Sequence, residues 1–143
     1  AGNAAAIASL STLGFLLAEP RYLVAAEQAL RAGWTTISQQ PQAAPAMLAA
    51  LEDYRHPVPL VVIRGAAAAL AGWRAQLRAH WPSPLRIFAI PDHGRDLPPA
   101  LAGKPDAPEG RAVLCLGTTC LATSGQVADL ITQLQGLDSR PAA

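Results

Sequence analysis

Apolar residues recur at helical spacing through the first third of the chain. Ile7, Leu10, Gly14 and Leu17 fall on one face of a helix predicted over 3–19, with Leu13 beside them. Asn3 is placed to cap it, because its side-chain oxygen can accept a free N–H of the first turn. Pro20 ends this helix and suits the first turn of the next, predicted over 21–32. Tyr22, Leu23, Ala26, Ala29 and Leu30 form the apolar stripe of that second helix, and Gly33 is expected beyond its end in the left-handed region. The two make an αα-hairpin with a very short connection. A short helix is expected over 34–40, broken at Pro41. Another follows over 44–55, with Met47, Leu48, Leu51 and Tyr54 at core spacing.

The pattern changes at Pro57. Pro59-Leu60-Val61-Val62-Ile63-Arg64 is a β-branched run closed by Gly65 and reads as a buried strand. A helix over 66–81 turns Ala66, Ala69, Leu70, Trp73 and Leu77 inward, and Pro82-Ser83-Pro84 breaks it. Leu85–Ile90 is a second strand, so strand, helix and strand form a βαβ unit whose strands should be parallel. Residues 91–110 read as a polar loop. Arg111–Leu116 forms a third strand, whose direction the pattern leaves open. Thr123 and Gln126 have capping-box spacing ahead of a helix over 124–136, with Val127, Leu130, Ile131, Leu134 and Leu137 as its stripe. The fold class is therefore α/β: N-terminal hairpin helices over 1–56, then a small three-stranded βαβ-type sheet with flanking helices over 57–143.

Composition narrows the function classes. The chain has 143 residues, a net charge of +1 and only 15% charged residues, against about 25% in an ordinary domain. A net charge this small gives no footprint for nucleic acid. No apolar stretch reaches about 18 residues, so no membrane partner is expected. There is no basic leader ahead of an apolar run, and the expected location is cytoplasmic. Alanine contributes 31 residues, concentrated in the first helices and in Ala66–Ala69. Helices this poor in charge call for neighbours on more than one face, so self-association through the hairpin is an expectation. The chain starts at Ala1 without Met and enters helical sequence at once, which suggests the C-terminal piece of a longer protein. Ser139–Ala143 reads as a frayed end.

Candidate chemistry is sparse. Cys115 and Cys120 have C-x₄-C spacing, which is wrong for a C-x-x-C redox pair and lacks the further ligands zinc would need. Two reduced structural thiols, a disulfide around a tight turn, and a redox or metal pair stay open, in that order. Asp92 and His93 lie in the densest polar cluster, Asp92-His93-Gly94-Arg95-Asp96, past the end of a strand where α/β ligands gather. An Asp–His pair can orient an imidazole for base chemistry, but no nucleophile elbow accompanies it. Gly65 opens a helix without a P-loop or G-x-G-x-x-G around it, so it reads as a tight turn. Arg64, Arg74, Arg78 and Arg86 could form a small anion patch, a solvated face being the simpler reading. Trp34, Trp73 and Trp81 read as packing residues. No cofactor or metal is expected, and no catalytic residue can be assigned.

The order of these segments resembles the bacterial YyaL-like proteins and their animal relatives, the spermatogenesis-associated thioredoxin-like proteins. Four stretches carry the resemblance: Gly2–Ala6 with Glu19-Pro20-Arg21-Tyr22; Gln40-Pro41 through Met47–Leu51; Pro59–Ile63; and Gly110–Cys115 with Cys120 and the helix to Leu134. The sequence departs from the family after Cys120, where Leu121-Ala122-Thr123 follows in place of a frequent proline. The resemblance implies a parent with a thioredoxin-like domain, a six-hairpin (α/α)₆ toroid like the N-acylglucosamine 2-epimerases, and this C-terminal end. It places Asn3 at the start of a toroid helix, near a central cavity. It further implies a structural or interaction segment without a complete active site, whose partner is the remainder of the parent chain. Part of a carbohydrate-active cavity, and a free-standing α/β module binding a small anion, are the alternatives.

Overall fold

The computed structural model describes residues 2–81, 83–93 and 96–138. The chain forms two compact units, Ala1–Pro57 and Val58–Ala143.

The first unit is helical. Helix α1 spans Gly2–Leu17, α2 Pro20–Ala32, α3 Trp34–Gln39 and α4 Pro45–Arg55, with a 3₁₀ turn at Pro41–Ala43 between the last two. Ala4, Ile7, Ala26, Leu30 and Ala50 form its core, with Leu10, Met47, Leu51 and Tyr54 packed against them. Small residues let α1 and α2 approach closely: a Cβ on Gly14 would lie 2.5 Å from Leu23 Cδ2. Three local expectations are corrected. Asn3 lies inside the first turn of α1 rather than ahead of it, because the helix already begins at Gly2. α1 stops at Leu17 because Ala18 takes φ +53°, and the Glu19 N–H then donates back to Gly14 O at 3.1 Å, the six-to-one closure of a Schellman end. Gly33, by contrast, is right-handed at φ −84°, since the chain passes straight into α3 with the Gly33 N–H still bonded to Ala29 O.

The second unit is a sheet with helices. Strands β1 (Leu60–Gly65), β2 (Arg86–Pro91), β3 (Arg111–Leu116) and β4 (Thr119–Cys120) lie in the order β2-β1-β3-β4. β1 and β2 are parallel, as a βαβ unit requires, and α5 (Ala67–His80) connects them. β3 runs antiparallel to β1, with Leu60 opposite Cys115 and Arg64 opposite Arg111, so the sheet is mixed and has four strands, not three. Every residue of β1 is buried, which explains its continuous apolar run. Val61 and Ile63 face α5 and α7 (Val127–Asp138) and join Leu70, Trp73, Leu77, Ala112, Leu114, Leu130 and Leu134 in one core. Leu60, Val62 and Arg64 alternate to the other face.

α7 starts three residues later than its capping-box spacing implies. Ser124 is drawn into the sheet instead: its N–H donates to Ala112 O at 2.8 Å and its carbonyl accepts from the Ala112 N–H at 3.0 Å. Within the expected loop 91–110 a short helix forms, α6 (Pro99–Ala102), with Leu101 buried. Trp73 and Trp81 pack with the core as expected, but Trp34 is 55% exposed. The expected break at Pro82 and the frayed end 139–143 lie outside the described residues.

Candidate functional site

The residues singled out from the sequence fall in both units. Asn3 is exposed on the helical unit. Asp92 and His93 follow β2, where the Asp92 N–H donates to Gly65 O at 2.9 Å. The Asp92 Oδ1 and His93 Nδ1 atoms stand 3.5 Å apart, with the imidazole mostly in solvent; Gly94 and Arg95 lie outside the described residues, and Asp96 is exposed. Cys115 is paired with the first residue of β1, whereas Asp92 lies past its last. A six-residue strand is about 20 Å long, so the two candidate sites sit at opposite ends of the sheet. Among the described residues no group of three His, Cys, Asp or Glu side chains could hold a metal ion.

Cys115 and Cys120 form a disulfide across the β3–β4 hairpin. The local sequence explains the pairing. Gly117-Thr118 is a two-residue turn in which Gly117 takes φ +58°, the conformation such turns favour glycine for. Leu116 then faces Thr119 and Cys115 faces Cys120, with their Cα atoms 4.0 Å apart. Cys115 is 3% exposed, while Cys120 lies on the surface. Lys104, the single lysine of the chain, places its Nζ 4.0 Å from Cys115 Sγ and 3.9 Å from Cys120 Sγ.

Arg64 sets Lys104 there. Its guanidinium, 8% exposed as a residue, donates from Nη1 to the carbonyls of Ala102 at 3.0 Å and Lys104 at 2.8 Å. Its Nη2 pairs with Asp106 Oδ2 at 3.2 Å. These bonds satisfy the carbonyl end of α6 and pin the segment across the sheet face that carries Cys115. Arg64 is thus a loop anchor and not part of an anion patch, while Arg74 and Arg78 are solvated on α5. The signal that could have exposed Arg64 was its place inside an otherwise unbroken apolar strand, since a buried cation needs several acceptors. Nothing local marked Lys104.

The turn after β1 cannot cradle an anion. A Cβ on Gly65 would lie 2.7 Å from Ala107 O, and the Ala66 N–H is taken by Pro108 O at 3.2 Å. Carbonyl oxygens stand where a phosphate would need free N–H groups.

The helical unit holds a cleft of about 260 Å³, with Leu30, Ile37 and Leu51 beneath and Trp34, Tyr54 and Arg55 around it. Arg31 closes one side through its pair with Glu27 at 2.7 Å. Burial, and then the Glu27 carboxylate, hold the Tyr54 phenol above the ordinary tyrosine range. Glu27 and Arg31 lie off the apolar stripe of α2, and no periodicity in the chain joins them to Trp34.

Among the described residues no helix is long and apolar enough to cross a membrane. Compared with family models, curated proteins and solved structures, the chain matches none.

Proposed function

We propose that the chain is a structural and interaction segment, the closing end of a larger toroid-bearing cytoplasmic protein similar to the YyaL-like family, without a complete active site of its own. One observation carries the reading. α1 has no charged residue in its sixteen positions, although only Ala4, Ile7, Ser11 and Gly14 are buried. Its outward side is built from Ala5, Ala6, Ser9 and Leu13. A helix that ends its packing there would carry charge on that side; a small, smooth face instead lets another helix approach closely. The occupant in this reading is the neighbouring helix of the parent toroid. In its absence a second copy of the chain takes the place.

Sedimentation velocity of the 143-residue chain tests this. Reversible association at tens of micromolar, abolished by Ser9→Glu with Leu13→Lys at unchanged helix content, is the expected result. A monomer at all concentrations that binds no apolar dye contradicts it. Reading the coding sequence upstream of Ala1 tests the parent: a thioredoxin-like segment and five helical hairpins are expected.

The cleft beside Trp34 favours a second reading, part of a carbohydrate-active cavity. Aromatic walls over an apolar floor with a few polar groups at the rim are the general make-up of a small-molecule site. Calorimetric titration of an N-acylated hexosamine, in the chain and in a Trp34→Ala variant, separates the two. Heat in the first and none in the second supports the cavity; no heat in either rejects it.

A further inference from the structure

We propose that the Cys115–Cys120 disulfide is a thiol–disulfide exchange site that accepts two electrons from dithiols, with the Lys104 ammonium stabilising the thiolate that departs. This stands apart from the interaction reading and rests on different residues. The two sulfurs differ in access. Cys120 is on the surface, so its Sγ is the atom an incoming thiolate can reach, whereas Cys115 is 3% exposed. Attack at Cys120 Sγ forms a mixed disulfide and breaks the Cys120–Cys115 bond, leaving the electron pair on Cys115 Sγ. The second thiolate of the dithiol then attacks its own sulfur in the mixed disulfide and releases Cys120 Sγ as thiolate. The dithiol ends as a cyclic disulfide, and the protein has gained two electrons and, after protonation, two protons.

Exchange is faster when the leaving thiol is more acidic, and a cation beside a thiol has that effect. Lys104 Nζ is 4.0 Å and 3.9 Å from the two sulfurs, and among the described residues no carboxylate pairs with it. The anchor at Arg64, whose Nη1 bonds the Lys104 carbonyl at 2.8 Å, fixes the backbone that carries it. A disulfide serving only to tie a hairpin has no use for an ammonium set over both sulfurs.

The full chain is incubated with graded dithiothreitol, thiols are counted by alkylation and mass, and the fold is followed by circular dichroism. Two thiols should appear together while the fold is retained. Lys104→Gln should slow the second-order reduction fivefold or more, roughly the effect of a unit charge at this distance in a water-like dielectric, and Lys104→Arg should stay within about twofold of the parent. Acetylation of the folded protein gives the same test without a variant, since Lys104 is the only lysine; acetylated Lys104→Arg protein should react as before acetylation. Reduction only in concert with global unfolding, or equal rates with and without the Lys104 charge, overturns the proposal.

Discussion

Replacing Gly110 with alanine sets one methyl group against two constraints at once. The residue stands just ahead of β3 with φ +95°, where an L side chain is strained by about 1–2 kcal/mol. The added Cβ would also overlap the Trp73 indole, lying 2.8 Å from Cδ1 and 3.1 Å from Cε2 and nearest of all to Nε1. The ring cannot simply turn away. Trp73 is 5% exposed in the core, and its Nε1–H donates to Glu109 O at 3.0 Å. Overpacking of this kind costs about 1–3 kcal/mol, and the smaller entropy of an unfolded alanine returns about 0.5 kcal/mol. The expected loss is about 3 kcal/mol, a large share of the roughly 5–15 kcal/mol that holds a domain folded. Urea unfolding followed by circular dichroism measures it. Gly72→Ala and Gly136→Ala serve as controls, because both positions are helical with nothing near an added Cβ, and each should gain about 0.5–1 kcal/mol. In a Trp73→Ala background the ring atoms that face the added Cβ are gone, and the cost of Gly110→Ala should fall toward its backbone part. A loss below about 0.5 kcal/mol, or an undiminished loss in the Trp73→Ala background, would refute the reasoning.

Further outcomes follow from single groups. Ser124 is 2% exposed and its Oγ is buried without a hydrogen-bond partner; Ser124→Ala should therefore raise stability by about 1 kcal/mol, seen as a higher urea midpoint at unchanged slope. Ala18→Gly relieves the positive φ that closes α1 and should add about 0.5–1 kcal/mol; a lower melting temperature would contradict it. The Tyr54 phenol holds its proton more tightly when folded, first through burial and then through Glu27. Its contribution is complete below the ordinary tyrosine value of about 10 and is lost as pH rises through the folded value. Tyr54→Phe should accordingly flatten the alkaline loss of melting temperature and remove the tyrosinate absorbance of this residue.

Local chemistry was legible where neighbouring residues settle the outcome. The β1 run, the α7 stripe and the parallel pairing of β1 with β2 follow from apolar period and from the length of the connection between them. Capping was less legible. Thr123 and Gln126 had the right spacing, but Ser124 gains two backbone bonds to Ala112, and that tertiary exchange outweighs one side-chain cap. Gly33 looked like a left-handed stop, yet the chain needed none there, and the left-handed residue is an alanine after Leu17. Trp34 shows the limit of inferring burial from residue type, because large apolar area predicts a neighbour without saying that the neighbour lies in the same chain segment.

The candidate site divides the same way. Residue pattern alone set Cys115 near the end of a strand, and its spacing to Cys120 favoured reduced thiols first, a disulfide around a tight turn second and a redox or metal pair last. The tertiary structure decided the rest. Pairing residue 115 with residue 120 depends on a short β4 that carries no apolar signature, its two residues both lying on the surface. The antiparallel return of β3, the burial of Arg64 and the placing of Lys104 over the sulfurs join residues from 11 to 55 positions apart. Such contacts leave no periodicity in the chain: they arise where a segment crosses the sheet, and each is held by backbone carbonyls, which every residue type supplies alike.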